Sequence, residues 1–531
     1  MTDVWEPKEE LSDGEEKLLK LCKKQKLWSF LRRYRHLILD EEVSLWLSEM
    51  YAEKSRGTAR VAPQRLLLAM LLQVGFGVAD HEVPTLTAVD RRWQMVLDLE
   101  PSDSPAFSQG TVFHFRERLR EHGVMEKFLE KTVRIARETG GFNDRRLRAL
   151  IDSSPLLGAG RVEDTFNLLG RAIVELLQCT AELSDSTPEE VIEAANLLPR
   201  TSASIKAVLD VDWTAPDARI EALNALIEQF HRLESWLRKT RDDDELRMPP
   251  LSEKIETITT LIDQDTEPEP DPPQGEEEPA KRRIKTGGSD RIISLSDQDM
   301  RHGRKSKTKV FSGYKRHVAV DADITGLIVA VHIEAANRPE YEAADPLLNT
   351  LDESGFEVTE VQIDRGYLPA DTIHQRRGEG TTVISKPHQR SRTTKYFPKS
   401  DFFIDFERGI VQCPNGEESP LRARESGKLA CSYPVATCRD CPLSEKCTPP
   451  NRGRQVQFHQ HEQFHREMSA ELKTPEGRAA RRQRIPVEHA LSRVGAIQGR
   501  RARFRGLEKN QFDLERTAVV ANLFAINRLA A

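Results

Sequence analysis

Apolar and polar positions along this 531-residue chain fall into a few regimes. From residue 13 to about 140 the pattern predicts helices. Within that block, "PQRLLLAMLLQ" (63–73) places Pro63 in a first helical turn ahead of a run apolar enough to be buried. "SQGTVFHFRERLREHG" (108–123) offers Ser108 and Thr111 as caps, an apolar-and-basic face that could enter a DNA groove, and Gly123 as a stop. A second helical region covers 169–262, where "RAIVELLQCT", "PEEVIEAANLL" and "PDARIEALNALIEQFHRLESWLRKT" repeat apolar residues at three-and-four spacing.

Strand patterns lie on either side of that region. "RLRALID" (146–152) is a short apolar run ending at Asp152. "FSGYKRHVAVDADITGLIVAVHIEAAN" (311–337) predicts two strands joined at Gly326. "YEAADPLLNTLDESG" (341–355) predicts a helix with a glycine stop, followed by strands "FEVTEVQID" (356–364) and "TTVISK" (381–386). A basic helical stretch containing Glu488 comes much later. A mixed sheet of this order can set the ends of its first and fourth strands side by side. A helix across the sheet could then bring Glu488 to Asp152 and Asp364. Converging carboxylates suit hard divalent cations, which keep waters for substrate phosphates. Two such ions about 3.5–4 Å apart activate a water or 3′-hydroxyl and stabilise the leaving oxygen of a phosphoryl transfer.

Charge changes the picture. The net charge of −6 argues against a nucleic-acid partner until its distribution is considered. "DQDTEPEPDPPQGEEE" (263–278) has eight acids and no base; without it the remainder is +2. That stretch cannot bury a core and is expected to be a flexible linker. Two basic runs have the composition of a phosphate-binding surface. One is "RHGRKSKTK" (301–309), with Arg304, Lys305, Lys307 and Lys309; Lys315 follows it. The other is "GRRARFRGLEK" (499–509), with Arg500, Arg501, Arg503 and Arg505 and Phe504 interleaved. Neither specifies a base sequence, because phosphate contacts position and base contacts specify. The longest apolar run, 65–78, is too short and interrupted to span a bilayer, and the acidic start "MTDVWEPKEE" is not a signal peptide.

Five of the seven cysteines, Cys413, Cys431, Cys438, Cys441 and Cys447, lie within 35 residues; Cys22 and Cys179 sit in helical stretches. Cys438-x2-Cys441 has the spacing of half a zinc knuckle. Any of the other three, or His459, His461 and His465 in "FHQHEQFH", could complete a structural zinc site. Free thiols in an insertion are the alternative.

Several blocks together resemble a family. "LIDSSPL" (150–156), "DQDMRHGRKSKTKVFSGYKRHVAVD" (297–321), "AANRPEYEAAD" (335–345), "QIDRGY" (362–367), "RRQRIPVEHALSRVGAIQGRRARFRGLEKNQF" (481–512) and "ANLFAINR" (521–528) are similar to the DDE transposases of bacterial insertion sequences. The helical block 43–135 resembles that family's N-terminal domain. The resemblance implies an α/β fold: an RNase H-like mixed sheet with flanking helices, interrupted by a helical insertion and a cysteine-containing insertion, plus an all-α N-terminal domain. The expected divisions are a helical DNA-binding or dimerisation domain at 1–142 and the catalytic core at 143–168 and 291–396. A helical insertion at 169–262, an acidic linker at 263–290, a cysteine-rich insertion at 397–470 and the core's C-terminal helices at 471–531 complete it.

By the same resemblance, Asp152, Asp364 and Glu488 are the catalytic carboxylates, holding two Mg²⁺ or Mn²⁺ ions. The family's signature around the glutamate is Tyr-x2-Arg-x3-Glu-x6-Lys. Arg484 and Glu488 fit it, but Arg481 stands in place of the tyrosine and Gly495 in place of the lysine. Arg493 and Arg500 are then candidates to grip the transposon-end phosphate, and Arg481 and Arg484 join the expected DNA-binding residues. The implied activity is Mg-dependent DNA cleavage and strand transfer at terminal inverted repeats. The implied partners are double-stranded DNA at the ends and target, and other copies of the chain in a homodimer or larger synaptic assembly, in the cytoplasm at the nucleoid. A catalytically silent DNA-binding descendant is the alternative; an RNase H-like nuclease with another substrate leaves the N-terminal helical block unexplained.

Overall fold

A computed structural model describes residues 5–51, 61–142, 145–198, 205–209, 211–268, 281–285, 287–288, 290–306, 308–385, 395–482 and 484–530. The N-terminal block is helical, as its periodicity predicts, from Asp13–Leu21 to Val124–Thr139. Its first helix starts with a capping box, Ser12 accepting from the Glu15 amide while Glu15 accepts from the Ser12 amide. Helix Pro63–Phe76 is apolar on nearly every side and correspondingly buried. It ends at Gly77, whose φ of 67° is left-handed and costs a glycine little. Ser108 caps Gln109–Glu121 by accepting from the Thr111 amide.

The N-terminal block packs on a mixed sheet, giving an α/β protein with many helices. The strands in chain order are β1 (Arg146–Leu157), β2 (Thr266–Pro268), β3 (Arg282–Ile284), β4 (Arg301–Arg304), β5 (Val310–Asp321), β6 (Ile328–Ala335), β7 (Glu357–Ile363) and β8 (Thr382–Ser385). The main sheet runs β4-β5-β1-β7-β8, with β6 also paired to β5. β5 is antiparallel to β1, whereas β7 is parallel to β1 and β8 parallel to β7. The sequence pattern ends the first strand at Asp152. The structure carries it on to Leu157, because Ser153–Leu157 stay paired with His317–Gly313. The far end is fixed again from outside: the Leu157 amide donates to the Arg500 carbonyl at 2.9 Å and the Ala502 amide to the Leu157 carbonyl at 2.7 Å.

The last helix, Leu507–Leu529, is buried along most of its length against Val124–Thr139 and β6. Asn522 locks the three together. Its side chain accepts from the Ile328 amide at 2.8 Å and donates to the Ile328 carbonyl and to Thr132 Oγ1. Such a buried amide is favourable only because its hydrogen bonds are made.

Two smaller cores stand beside the main one. Thr165–Leu183, Pro216–Thr240 and Leu251–Asp265 are the longest helices around the first, with Leu168, Leu176, Leu223 and Ile258 at its centre. This region reaches into the acidic segment. Asp265 is buried in an ion pair with Arg291 at 2.6 Å, and β2 pairs with β3; residues 269–280 lie outside the described set. The second core belongs to a lobe of two three-stranded sheets. These are β9 (Phe403–Asp405), β10 (Ile410–Gln412) and β11 (Glu418–Pro420), then β12 (Arg422–Ala423), β13 (Leu429–Ser432) and β14 (Gln455–Phe458). No helix among the described residues is long and apolar enough to cross a membrane.

Candidate active site

Strand register builds the centre of the site. In the parallel β1–β7 pair, Ile151 is opposite Ile363, so the next residues, Asp152 within β1 and Asp364 just past the end of β7, stand at the same level. Two acids 212 positions apart thereby become neighbours without any local sequence device. Arg484 sits between them, with its guanidinium 2.9 Å from Asp152 Oδ2 and 2.6 Å from Asp364 Oδ1. Arg484 is itself the N-cap of helix Ile485–Gln498.

Glu488 lies in the first turn of that helix, four residues beyond Arg484, and is exposed. Four residues is about one helical turn, so the two share a face. The described residues contain no group of three or more His, Cys, Asp or Glu side chains placed to hold a metal. As the chain stands, the two aspartates meet around an arginine, and the glutamate is not gathered in with them.

A fourth carboxylate, not singled out from the sequence, borders the site. Ser153 donates its amide to Asp152 Oδ1 at 2.8 Å and its hydroxyl to Glu340 Oε1 at 2.6 Å. Glu340 follows Pro339 in "AANRPEYEAAD", and the glycine of "QIDRGY" makes room for it. A Cβ at Gly366 would stand 2.0 Å from Glu340 Oε2. Below these lies Tyr367, fully buried, its hydroxyl 2.6 Å from His317 Nδ1. Burial, and then the charges of Glu340 and Asp152, drive the Tyr367 phenol well above its ordinary pKa. Burial pushes His317 the other way, toward the neutral ring. Burial also raises the Asp152 carboxyl; Arg484 and the Ser153 amide oppose this, while Asp364 and Glu340 reinforce it. The two 300-series motifs thus meet at the aspartates, and the only hint in sequence was that each contains a charged residue beside a turn former.

The basic residues divide by environment. Arg304, Lys305 and Lys309 are exposed around the β4–β5 turn; Lys307 lies outside the described residues. Lys315 is half-buried and donates to the Arg338 carbonyl, with burial lowering its pKa. Arg481, Arg500, Arg501, Arg503 and Arg505 are exposed, although Arg501 donates to the Gly158 carbonyl and Arg503 to the Ile497 carbonyl, both at 3.1 Å. Arg493 lies 5.3 Å over the Phe524 ring, facing the last helix. Phe504, expected as an interleaved aromatic in a nucleic-acid surface, is instead held between Arg116 and Arg516, each 5.2 Å from its ring. The arginines of helix Gln109–Glu121 are likewise engaged. Arg116 pairs with Asp80 at 2.8 Å, and Arg120 with Glu117 at 3.0 Å and with Glu508. That helix is therefore tied to the chain around Phe504 and to the last helix, Leu507–Leu529, rather than presenting a free basic face.

No curated protein and no solved structure matches the chain. Residues 412–527 match the family described as Transposase DDE domain. That segment includes Arg484 and Glu488 but neither aspartate, and on its strength the chain is similar to DDE transposases over its C-terminal part.

Proposed function

We propose that this protein is a DDE transposase with an RNase H-like core, which cuts DNA at the terminal inverted repeats of an insertion sequence and joins the freed ends to target DNA. The observation that carries the reading is the register of β1 and β7, which sets Asp152 beside Asp364 with one cation already between them. The donor set fits a divalent metal: hard carboxylate oxygens at a strand edge, accommodating a positive charge that the protein itself supplies through Arg484. Asp152, Asp364 and Glu488 are the residues that would hold Mg²⁺ or Mn²⁺. When bound, such ions activate a water or 3′-hydroxyl and stabilise the leaving oxygen of phosphoryl transfer.

The remaining roles belong to the chain. The Ser153 amide and hydroxyl fix Asp152 and Glu340 in place. The exposed arginines of 500–505 lie where β1 is clamped at Leu157, so phosphates bound there are indexed to the strand that carries Asp152. Arg304, Lys305 and Lys309 add a second cationic edge. The partner is double-stranded DNA, and joining two ends in concert calls for a homodimer or larger assembly, acting at the nucleoid.

Asp364→Asn tests this. Cleavage of end-bearing DNA in Mg²⁺ should disappear while DNA binding persists; equal cleavage by the mutant would defeat the proposal. A second reading, a silent DNA-binding descendant, is favoured by the Arg484 bridge, which engages an oxygen of each aspartate. Failure of the unmodified protein to cut its own ends, with binding intact, would select it.

A further inference from the structure

The cysteine lobe carries chemistry that the carboxylate site does not use. Its core is small: Phe402, Ile404, Val411, Cys431, Tyr433, Cys438, Val456 and Phe458 are its buried residues. A core of that size rarely holds two short sheets together without a cross-link or a metal. No cross-link is present, since all seven cysteines are free thiols.

Four of those thiols point at one place. Cys413, Cys438, Cys441 and Cys447 line a single cavity of about 20 Å³, room for one water-sized body. They arrive from separate turns. Cys413 follows β10 in a tight turn, its amide bonded to the Glu417 carbonyl at 2.8 Å and its carbonyl accepting from Gly416 at 2.9 Å. Cys438 lies in the short helix Val435–Arg439, Cys441 follows after two residues, and Cys447 closes the next 3₁₀ turn. The backbone is aimed at the sulfurs as well. The Arg454 amide donates to Cys438 Sγ and the Leu443 amide to Cys441 Sγ, both at 3.4 Å. N–H donors directed at sulfur are the outer hydrogen bonds that orient a sulfur ligand.

The fifth cysteine differs. Cys431 is 3 % exposed, sits in the middle of β13 opposite Val456, and does not line the cavity. None of His459, His461 and His465 lines it either.

We propose that Cys413, Cys438, Cys441 and Cys447 bind one structural zinc ion and that Cys431 is a core residue only. Binding releases the thiol protons to solvent, and the four sulfurs, which as they stand do not form a metal-holding group, must move to reach ligand positions around the ion. Four sulfur ligands leave no open position, so the ion staples the lobe and activates no water. The cavity's size suits a single ion rather than an iron–sulfur cluster.

Elemental analysis of the full-length protein, purified in reductant and offered zinc, tests the assignment. About one zinc per chain is expected, falling below about half in Cys441→Ser and unchanged in Cys431→Ala. If Cys441→Ser does not fold, mercurial titration of the unmodified protein with a metallochromic dye replaces it; release of zinc as four thiols react supports the proposal. The proposal is overturned by less than about half an equivalent in the unmodified protein, by full zinc in Cys441→Ser, by zinc loss in Cys431→Ala, or by iron with visible absorption. These readouts measure metal alone, so they stand or fall separately from DNA cleavage.

Discussion

The carboxylate centre and the cysteine lobe assemble polar groups in opposite ways. At the centre, Asp152 and Asp364 are joined by a β-ladder inside the largest core of the molecule, and an arginine from a third segment lies between them. In the lobe, three of the four cavity cysteines lie within ten residues on short turns, over a core of only eight buried side chains. The first arrangement is held by sheet and helix packing and can exist before any ligand arrives. The second has only a small core to hold it. The lesson is that a site built by register needs the whole fold, whereas a site built by turns must contribute to its own folding.

The comparison breaks most sharply in the lobe. Phe402 is fully buried there, 6.2 Å from the Tyr433 ring. Phe402→Ala should cost about 3–5 kcal/mol, enough to open the lobe while the main sheet stays folded. Hydrogen exchange should show lost protection across 403–458 and retained protection in β1 and β5. Equal loss in both would mean that the lobe and sheet form one cooperative unit.

At the centre, crowding is the sharper probe. Gly366→Ala must displace Glu340, and overpacking of this kind costs about 1–3 kcal/mol. Its effect on cleavage should exceed its effect on melting temperature, because Ser153 loses the partner that steadies Asp152's strand. Unchanged turnover would remove Glu340 from the site.

Arg484→Gln probes the internal counter-charge. Asp364 is about a third exposed, so solvent screening limits the loss to about 1–2 kcal/mol in metal-free buffer. Added Mg²⁺ should restore more stability to this variant than to the unmodified protein. No such difference in thermal melts would show that the aspartates do not need a cation.

The pH dependence has a definite sign. Asp152 titrates above its ordinary 3.8, so it favours the folded state below that value, and this contribution is lost as pH rises through its folded pKa. The stability of Asp152→Asn relative to the unmodified protein should therefore increase with pH across that window without metal, as followed by denaturant midpoints. The smallest effect belongs to the exposed Arg505, where Arg505→Ala should weaken DNA binding and lower the salt slope by about one.

Much of the architecture was legible from periodicity. The N-terminal helices, the hairpin turning at Gly326 and the helix before Gly355 follow from spacing and turn chemistry, which act within a few residues. The pairing of strand ends was also foreseeable, because apolar runs stopping at Asp152 and Asp364 have few ways to share a sheet. The extension of β1 beyond Asp152 was not: "SSPLL" lacks strand character, and its partner is supplied by β5 and by residues 500–502.

Side-chain direction was the least accessible. Arg484 and Phe504 read as surface groups in basic runs, yet one turns inward to two aspartates and the other lies between two arginines. Glu340 gave no more signal than a charge beside Pro339, since its place depends on the missing Cβ of a glycine 26 residues away. Spacing nominated five cysteines, but only the fold separated the four around a cavity from the one in a strand core.

The sequence by itself determined the main helices, where most strands of the main sheet lie along the chain and the kinds of chemical group available, because those depend on local periodicity and composition. Only the tertiary structure decided which groups meet and which way they face, because register, packing and burial are set by contacts between segments hundreds of residues apart.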